Sequence, residues 1–171
     1  MRLIRHRYDS PLGEMLAVCS ATGLCLLEFV GQGGVDRELA QVEAARAGPA
    51  VDGSNALTEQ LGRELAEYYG GQRQQFDVPL DLVGTPFQLR VWQALLAIPY
   101  GHTWSYGQQE QHIGQPTATR AVAAANGQNK VSIIVPCHRV IGSNGTLTGY
   151  GGGLPRKQWL LALESGESRL I

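Results

Sequence analysis

A four-residue break, Leu82-Val83-Gly84-Thr85, ahead of Pro86 does most to limit what this 171-residue chain can fold into. Before it, apolar residues recur first at strand spacing and then at helix spacing. After it the pattern is almost wholly helical. Thr85-Pro86 is itself a helix start: a hydroxyl caps the first free N–H groups, and proline's fixed φ suits the first helical position. The expected organisation is therefore an α+β domain over residues 1–84 and a mainly α domain over 85–171. No apolar run approaches the roughly 20 residues of a membrane-spanning helix. A composition of 43% apolar and 17% charged residues suits a folded chain rather than a disordered one.

In the first part, Leu3–Tyr8 alternates, Met15–Cys19 is apolar and Leu24 to Val30 returns, with turns at Ser10-Pro11-Leu12-Gly13 and Ala21-Thr22-Gly23. Helical periodicity follows over 35–47 and 55–69, separated by the breaker run 48–53. Asn55 or Ser54 is the expected cap of the second helix, and Gly70-Gly71 its end. Phe76 to Leu80 reads as a short strand.

In the second part, Phe87, Val91 and Leu95 recur at helical spacing with Trp92 beside them, until Pro99-Tyr100-Gly101 stops the helix. Ser105–Ile113 and Thr117–Asn126, joined by Gly114-Gln115-Pro116, have the lengths of a helix-turn-helix. Val131–Val135 reads as a buried strand or extended segment. Pro136–Gly153 is a glycine-rich loop, and Leu154-Pro155 opens a last helix reaching Glu164.

The two parts differ in charge. Residues 1–85 carry 7 basic against 12 acidic side chains, a net of −5, and residues 86–171 carry 7 against 3, a net of +4. That asymmetry suits an anionic partner for the second part, with chance variation of surface charge as the competing account. Three cysteines are too few, and odd in number, for a disulfide scaffold. The segment Met1–Arg7 lacks an uninterrupted signal-peptide core, so a reducing, cytoplasmic address is expected.

Chemistry concentrates at Val135-Pro136-Cys137-His138-Arg139-Val140. A thiol near pKa 8.5 is mostly protonated at neutral pH, so a nucleophilic cysteine needs a base nearby. Cys137 follows an apolar segment and opens a loop, where functional groups collect. Cys19 and Cys25, in strand settings, read as buried structural thiols. Adjacency of Cys and His alone leaves a cysteine hydrolase open. The second helix of the pair has one long polar side chain, Arg120, among alanines. It reads either as a packed core helix or as a helix whose small residues approach a DNA groove without reading sequence.

Taken with Arg120-Ala121-Val122 upstream and Gly149-Tyr150-Gly151-Gly152-Gly153-Leu154 downstream, Pro136-Cys137-His138-Arg139 resembles the O6-alkylguanine-DNA alkyltransferases, the methylated-DNA–protein-cysteine methyltransferase family, of single-module bacterial type. The resemblance spans Thr85 to Glu164 and extends more weakly over residues 1–84. It implies a ribonuclease-H-like N-terminal domain, then a winged-helix-like DNA-binding and active-site domain. It also implies repair by direct reversal: irreversible transfer of the alkyl group from O6-alkylguanine, and O4-alkylthymine, to the protein's own cysteine after the base is flipped out.

By the same resemblance, Cys137 is the acceptor, His138 and Glu164 deprotonate it through a water, and Asn129 braces the loop and holds the thiolate. Tyr106 hydrogen-bonds the flipped guanine and crowds a phosphate. Arg120 fills the gap in the duplex, with Ala118, Thr119, Ala121 and Ala123 against the DNA. Val140 and Tyr150 line the base pocket, with Asn126 and Gly151 at its edge. The implied partner is double-stranded DNA containing the lesion, bound by a monomer through the minor groove without sequence specificity; that groove's code is degenerate, and damage occurs in any sequence. No membrane, cofactor or metal is implied, since His6, Cys19 and Cys25 make no tetrahedral set. A non-catalytic lesion-binding protein of alkyltransferase-like type is the alternative, but such proteins lack the cysteine.

The chain departs from the family at Gln109 and Glu110, where an apolar and a small residue usually stand. Only Tyr106 and Ile113 remain for Ser105–Ile113 to bury. The expectation is a weakly held helix, rotated or frayed so that Glu110 stays in water, rather than one whose carboxylate is paired by His112 or Arg90.

Overall fold

The structure, a computed structural model, describes residues 2–166, which form two compact units, one ending at Val83 and one beginning at Gly84. In the first, β1 (Leu3–Tyr8), β2 (Met15–Cys19) and β3 (Leu24–Phe29) form an antiparallel meander. Next come α1 (Val35–Ala45), β4 (Ala50–Asp52) and α2 (Ala56–Tyr69). β4 pairs parallel to β1, giving the sheet order β3-β2-β1-β4. β2 and β3 are buried along their whole length, which is why they read as apolar runs, whereas β1 is partly exposed. Asn55 caps α2 in a capping box with Thr58.

Two expectations fail in this unit. Residues 48–53, read as a breaker, contain β4. Phe76 to Leu80 is not a strand: Leu80 makes one isolated bridge to Leu24, and Glu64 Oε1 accepts the Asp77 and Val78 N–H groups at 2.9 and 3.1 Å. A buried carboxylate has taken the donors a sheet edge would have used.

The second unit comprises α3 (Pro86–Leu96), β5 (Trp104–Ser105), α4 (Tyr106–His112), α5 (Thr119–Gly127), a 3-10 turn at Cys137–Arg139, β6 (Val140–Ile141) and α6 (Leu154–Ser165). Thr85 caps α3 in a capping box with Gln88. Trp92 on its buried face donates to the Ala125 carbonyl of α5 at 2.9 Å. The helix pair α4–α5 turns at Gly114, whose φ of 77° lies in the left-handed region that glycine enters at no steric cost. β5 pairs parallel with β6, Trp104 opposite Val140 and Ser105 opposite Ile141. That ribbon, invisible to sequence periodicity because each strand is two residues long, brings the start of α4 to the Cys137 loop.

Val131–Val135 is not a strand either. It coils through tight turns, with Ile134 N–H bonded to the Ser132 carbonyl at 2.8 Å and Val135 N–H to that of Val131 at 3.1 Å. Ile133 sits at φ 73°, a left-handed conformation strained for a β-branched residue. All five side chains are buried, so the apolar run was read correctly and its backbone was not.

The expectation for Ser105–Ile113 is corrected as well. α4 neither frays nor turns Glu110 outward: Gln109 is 0% exposed and Glu110 4%. Gln109 is paired instead, its Nε2 donating to Asn126 Oδ1 and its Oε1 accepting from Asn126 Nδ2, both at 2.8 Å. Glu110 Oε1 has no hydrogen-bond partner among the described residues, while Arg90 donates to the Ile113 carbonyl. A two-bond amide pair is what keeps the polar face of α4 inside.

Candidate active site

Cys137 opens the 3-10 turn directly after Pro136, half-buried at the end of the coiled apolar segment. Asn129 Nδ2 donates to its Sγ at 3.3 Å and to the Val135 carbonyl at 2.8 Å. Asn129 Oδ1 accepts the Val131 N–H at 2.9 Å, which fixes the amide orientation so that a donor, not an acceptor, faces the sulfur. Such a donor favours thiolate over thiol.

His138 is fully buried, and its Nε2 lies 2.8 Å from Glu164 Oε2. Burial alone would push the Glu164 carboxyl up. The His138 bond and the Arg139 guanidinium outweigh it and hold the group at about 2. Arg139 completes the clamp, with Nε to Glu164 Oε1 at 2.7 Å, a second nitrogen to Oε2 at 3.1 Å and a third to the Ile98 carbonyl at 2.7 Å. Against an ionised carboxylate, Nε2 of His138 must carry the proton, which leaves Nδ1 as the basic nitrogen. That Nδ1 is buried without a hydrogen-bond partner among the described residues. Burial, opposed but not reversed by Glu164, pushes the His138 pKa below its ordinary value, so the ring is neutral at pH 7.

Lys157, 0% exposed, donates to the Val140 carbonyl at 2.6 Å and the Thr148 carbonyl at 2.7 Å, tying the two ends of the loop between them. Burial lowers its pKa, and a Coulombic interaction with Cys137 opposes that. Tyr106, at the head of α4, shares a 3.0 Å hydrogen bond with Thr148 Oγ1.

Sequence reasoning missed Arg139, Lys157 and Thr148. Lys157 and Glu164 stand seven apart on α6 with Leu160 between them, all buried, so two turns of one helical face were legible as a shared wall. The second nitrogen fork of Arg139 left no trace in spacing.

The remaining expected residues lie elsewhere in the unit. Arg120, Ala123 and Gly127 form an exposed face of α5 with Thr119 and Ala121 beside it, and Ala118 precedes the helix. Val122, Ala125 and Asn126 face inward. Val140 is buried in β6, Tyr150 is half-buried, and Gly151 is exposed. Asn126 is buried with its amide engaged by Gln109. Among the described residues, no three His, Cys, Asp or Glu side chains gather closely enough to hold a metal ion, and no helix is long and apolar enough to cross a membrane.

A half-buried Cys137 held by Asn129 and a buried His138-Glu164-Arg139 clamp, on a helix-pair unit that follows an α+β unit along the chain, make a candidate thiol site in a protein of two-part architecture. Residues 3–82 match the family described as 6-O-methylguanine DNA methyltransferase, ribonuclease-like domain, and residues 86–166 match its DNA binding domain. The chain belongs to the 6-O-methylguanine DNA methyltransferase family.

It is 48% identical over 167 residues to the methylated-DNA–protein-cysteine methyltransferase of Mycolicibacterium paratuberculosis, covering 97% of this chain and 95% of the relative. The Salmonella typhimurium protein of the same name is 43% identical, with 96% of each covered. Among solved structures, that of Mycobacterium tuberculosis OGT in complex with DNA superposes with a TM-score of 0.82 at 43% identity, covering 95% of this chain and 93% of that one. The expected fold, a ribonuclease-like part followed by a DNA-binding part, holds.

Proposed function

We propose that this protein repairs alkylated DNA by moving the alkyl group from O6-alkylguanine, and O4-alkylthymine, to the sulfur of Cys137 in one irreversible step. The thiolate attacks the alkyl carbon, an S–C bond forms as the C–O6 bond breaks, and the departing guanine anion regains a proton. His138 takes the Cys137 proton at Nδ1 through a water, with Glu164 fixing the tautomer and Asn129 steadying the sulfur. A base inside a duplex is out of reach, so it is turned out at a cost of a few kcal/mol. Arg120 enters the stack it leaves, on an alanine face that approaches the minor groove without reading sequence. Tyr106 meets the flipped base, which Val140 and Tyr150 line, with Asn126 and Gly151 at the edge.

In this reading residues 85–171 form the reacting domain and residues 1–84 the ribonuclease-like one, and the protein acts as a cytoplasmic monomer. The break in compactness between Val83 and Gly84 supports that division. The observation that carries the proposal is a Cys137 sulfur held by an Asn129 donor and followed in the chain by His138, whose Nε2 is engaged by Glu164 and whose Nδ1 has no hydrogen-bond partner among the described residues. A non-catalytic lesion-binding protein would have no use for it.

Incubation with a duplex bearing one labelled O6-methylguanine tests this. Label should move to the protein, stop at one equivalent and add one methyl to the mass of the peptide holding Cys137. Cys137→Ala should bind DNA and take up none. Sustained turnover over many equivalents, or binding with no label on the parent protein, would overturn it.

A further inference from the structure

The amide pair between Gln109 and Asn126 is a buried polar contact within the helix pair, and the reaction described above, which sets Asn126 only at the edge of the base pocket, gives the pair itself no part. It joins two lines of residues. On α4, Gln109 stands one turn after Tyr106 and so shares its side of the helix. On α5, Asn126 lies in the last turn, and its carbonyl accepts the Asn129 N–H at 3.3 Å. Asn129 is the residue whose Nδ2 meets the Cys137 sulfur. From Gln109 to the sulfur there are thus three contacts in series: amide pair, backbone turn, and side-chain donor.

The other anchors of that last turn come from α3. Trp92 bonds the Ala125 carbonyl, and Gln88 bonds Gln128 at 2.7 Å. Gln109 is the anchor from the α4 side. An apolar side chain at 109 could slide against α5 at small cost. Two antiparallel amide bonds exist in one register only, and a displacement of about 1 Å breaks both. Because both groups are buried, water cannot replace what is lost.

We propose that Gln109 and Asn126 are positioning residues for alkyl transfer: their amide pair locks the last turn of α5 to the helix carrying Tyr106, and thereby sets Asn129 at hydrogen-bond distance from the Cys137 sulfur. The inference rests on the alkyl-transfer reading only for its rate readout. Neither side chain is proposed to touch the reacting atoms.

The test compares the parent protein with Gln109→Leu/Asn126→Leu, which removes both amides and strands neither, and with Gln109→Met, which keeps the side chain's length. Two quantities are read. One is the pH midpoint for iodoacetamide reaction of Cys137. That reaction is selective, because burial pushes the Cys19 and Cys25 thiols up to about 12 and about 11. The other is the single-turnover rate with free O6-benzylguanine.

In folded variants that bind undamaged duplex as the parent does, the midpoint should rise by about one unit and transfer at neutral pH should slow roughly tenfold, as expected for a thiolate whose donor is misplaced. Gln109→Met gives the same reading if the double variant fails to fold. The swap Gln109→Asn/Asn126→Gln, with one amide still on each helix, should return both quantities toward parental values. A folded variant without the pair but with the parental midpoint and rate would overturn the inference and make the pair structural only. If the parent itself transfers no alkyl group, the functional reading falls, while the iodoacetamide midpoint still decides the role of the pair.

Discussion

Gln109 and Glu110 are neighbours on one short helix, both buried, and their removal should change stability in opposite directions. Glu110 buries a carboxyl oxygen with no partner, a burden of about 1–3 kcal/mol and more if charged. Glu110→Ala lifts that burden and adds a few tenths of helix propensity, but gives up one buried methylene, Cγ, at about 0.8 kcal/mol. The net should be a gain of about 1 kcal/mol. Gln109→Leu does the reverse. It strands the Asn126 donor and acceptor, each bonded at 2.8 Å in the parent, and the added apolar burial recovers only part of the loss. A net loss of about 2 kcal/mol is expected.

At roughly 2–4 °C per kcal/mol for a chain of this size, the two single variants should melt about 6–12 °C apart, with the parent between them. Thermal unfolding followed by circular dichroism, on parent, singles and double, measures it. Singles that shift Tm in the same direction would refute the reasoning, since it requires one polar group stranded and its neighbour paired. The double variant should melt roughly 2–4 °C below the parent, because the loss of about 2 kcal/mol exceeds the gain of about 1 kcal/mol.

Replacing Arg120 by alanine should slow transfer from methylated duplex far more than from free O6-benzylguanine, because only duplex has a gap to fill; equal losses on both would place Arg120 in the chemistry or the fold. Acid should destabilise the protein in two stages. His138 has a folded pKa below 6.5, so the unfolded chain binds its proton more readily, and the stability present above pH 6.5 is lost as pH falls toward the folded value. Glu164 then loses its contribution of about 3 kcal/mol as pH falls from 4.5 to about 2. Urea midpoints from pH 8 to pH 3 should decline accordingly, with the lower stage flattened in Glu164→Gln; a flat profile would contradict the clamp geometry.

Local chemistry was legible in the sequence wherever a few neighbouring residues decide the outcome. Thr85-Pro86 and Asn55 cap helices because a side-chain oxygen within one turn of the first N–H groups suffices. The β1–β2–β3 meander was readable from alternation and turns, and Cys137 and His138 from adjacency. What depended on distant partners was not. Phe76 to Leu80 has strand composition, yet Glu64, twelve residues away at the nearest, captured its donors. Val131–Val135 is apolar enough for a strand, but it coils through tight turns, with Ile133 at φ 73°, and ends where Asn129 meets Cys137.

Gln109 is the sharpest case. The resemblance placed a polar residue where the family usually has an apolar one and so pointed to a weak helix. Only the tertiary structure supplied Asn126, seventeen residues on, at the angle and distance that let two buried amides satisfy each other. A hydrogen bond is directional and short-ranged, so whether a buried polar group is a fault or a fastening depends on one partner's position in space, which spacing along the chain does not encode.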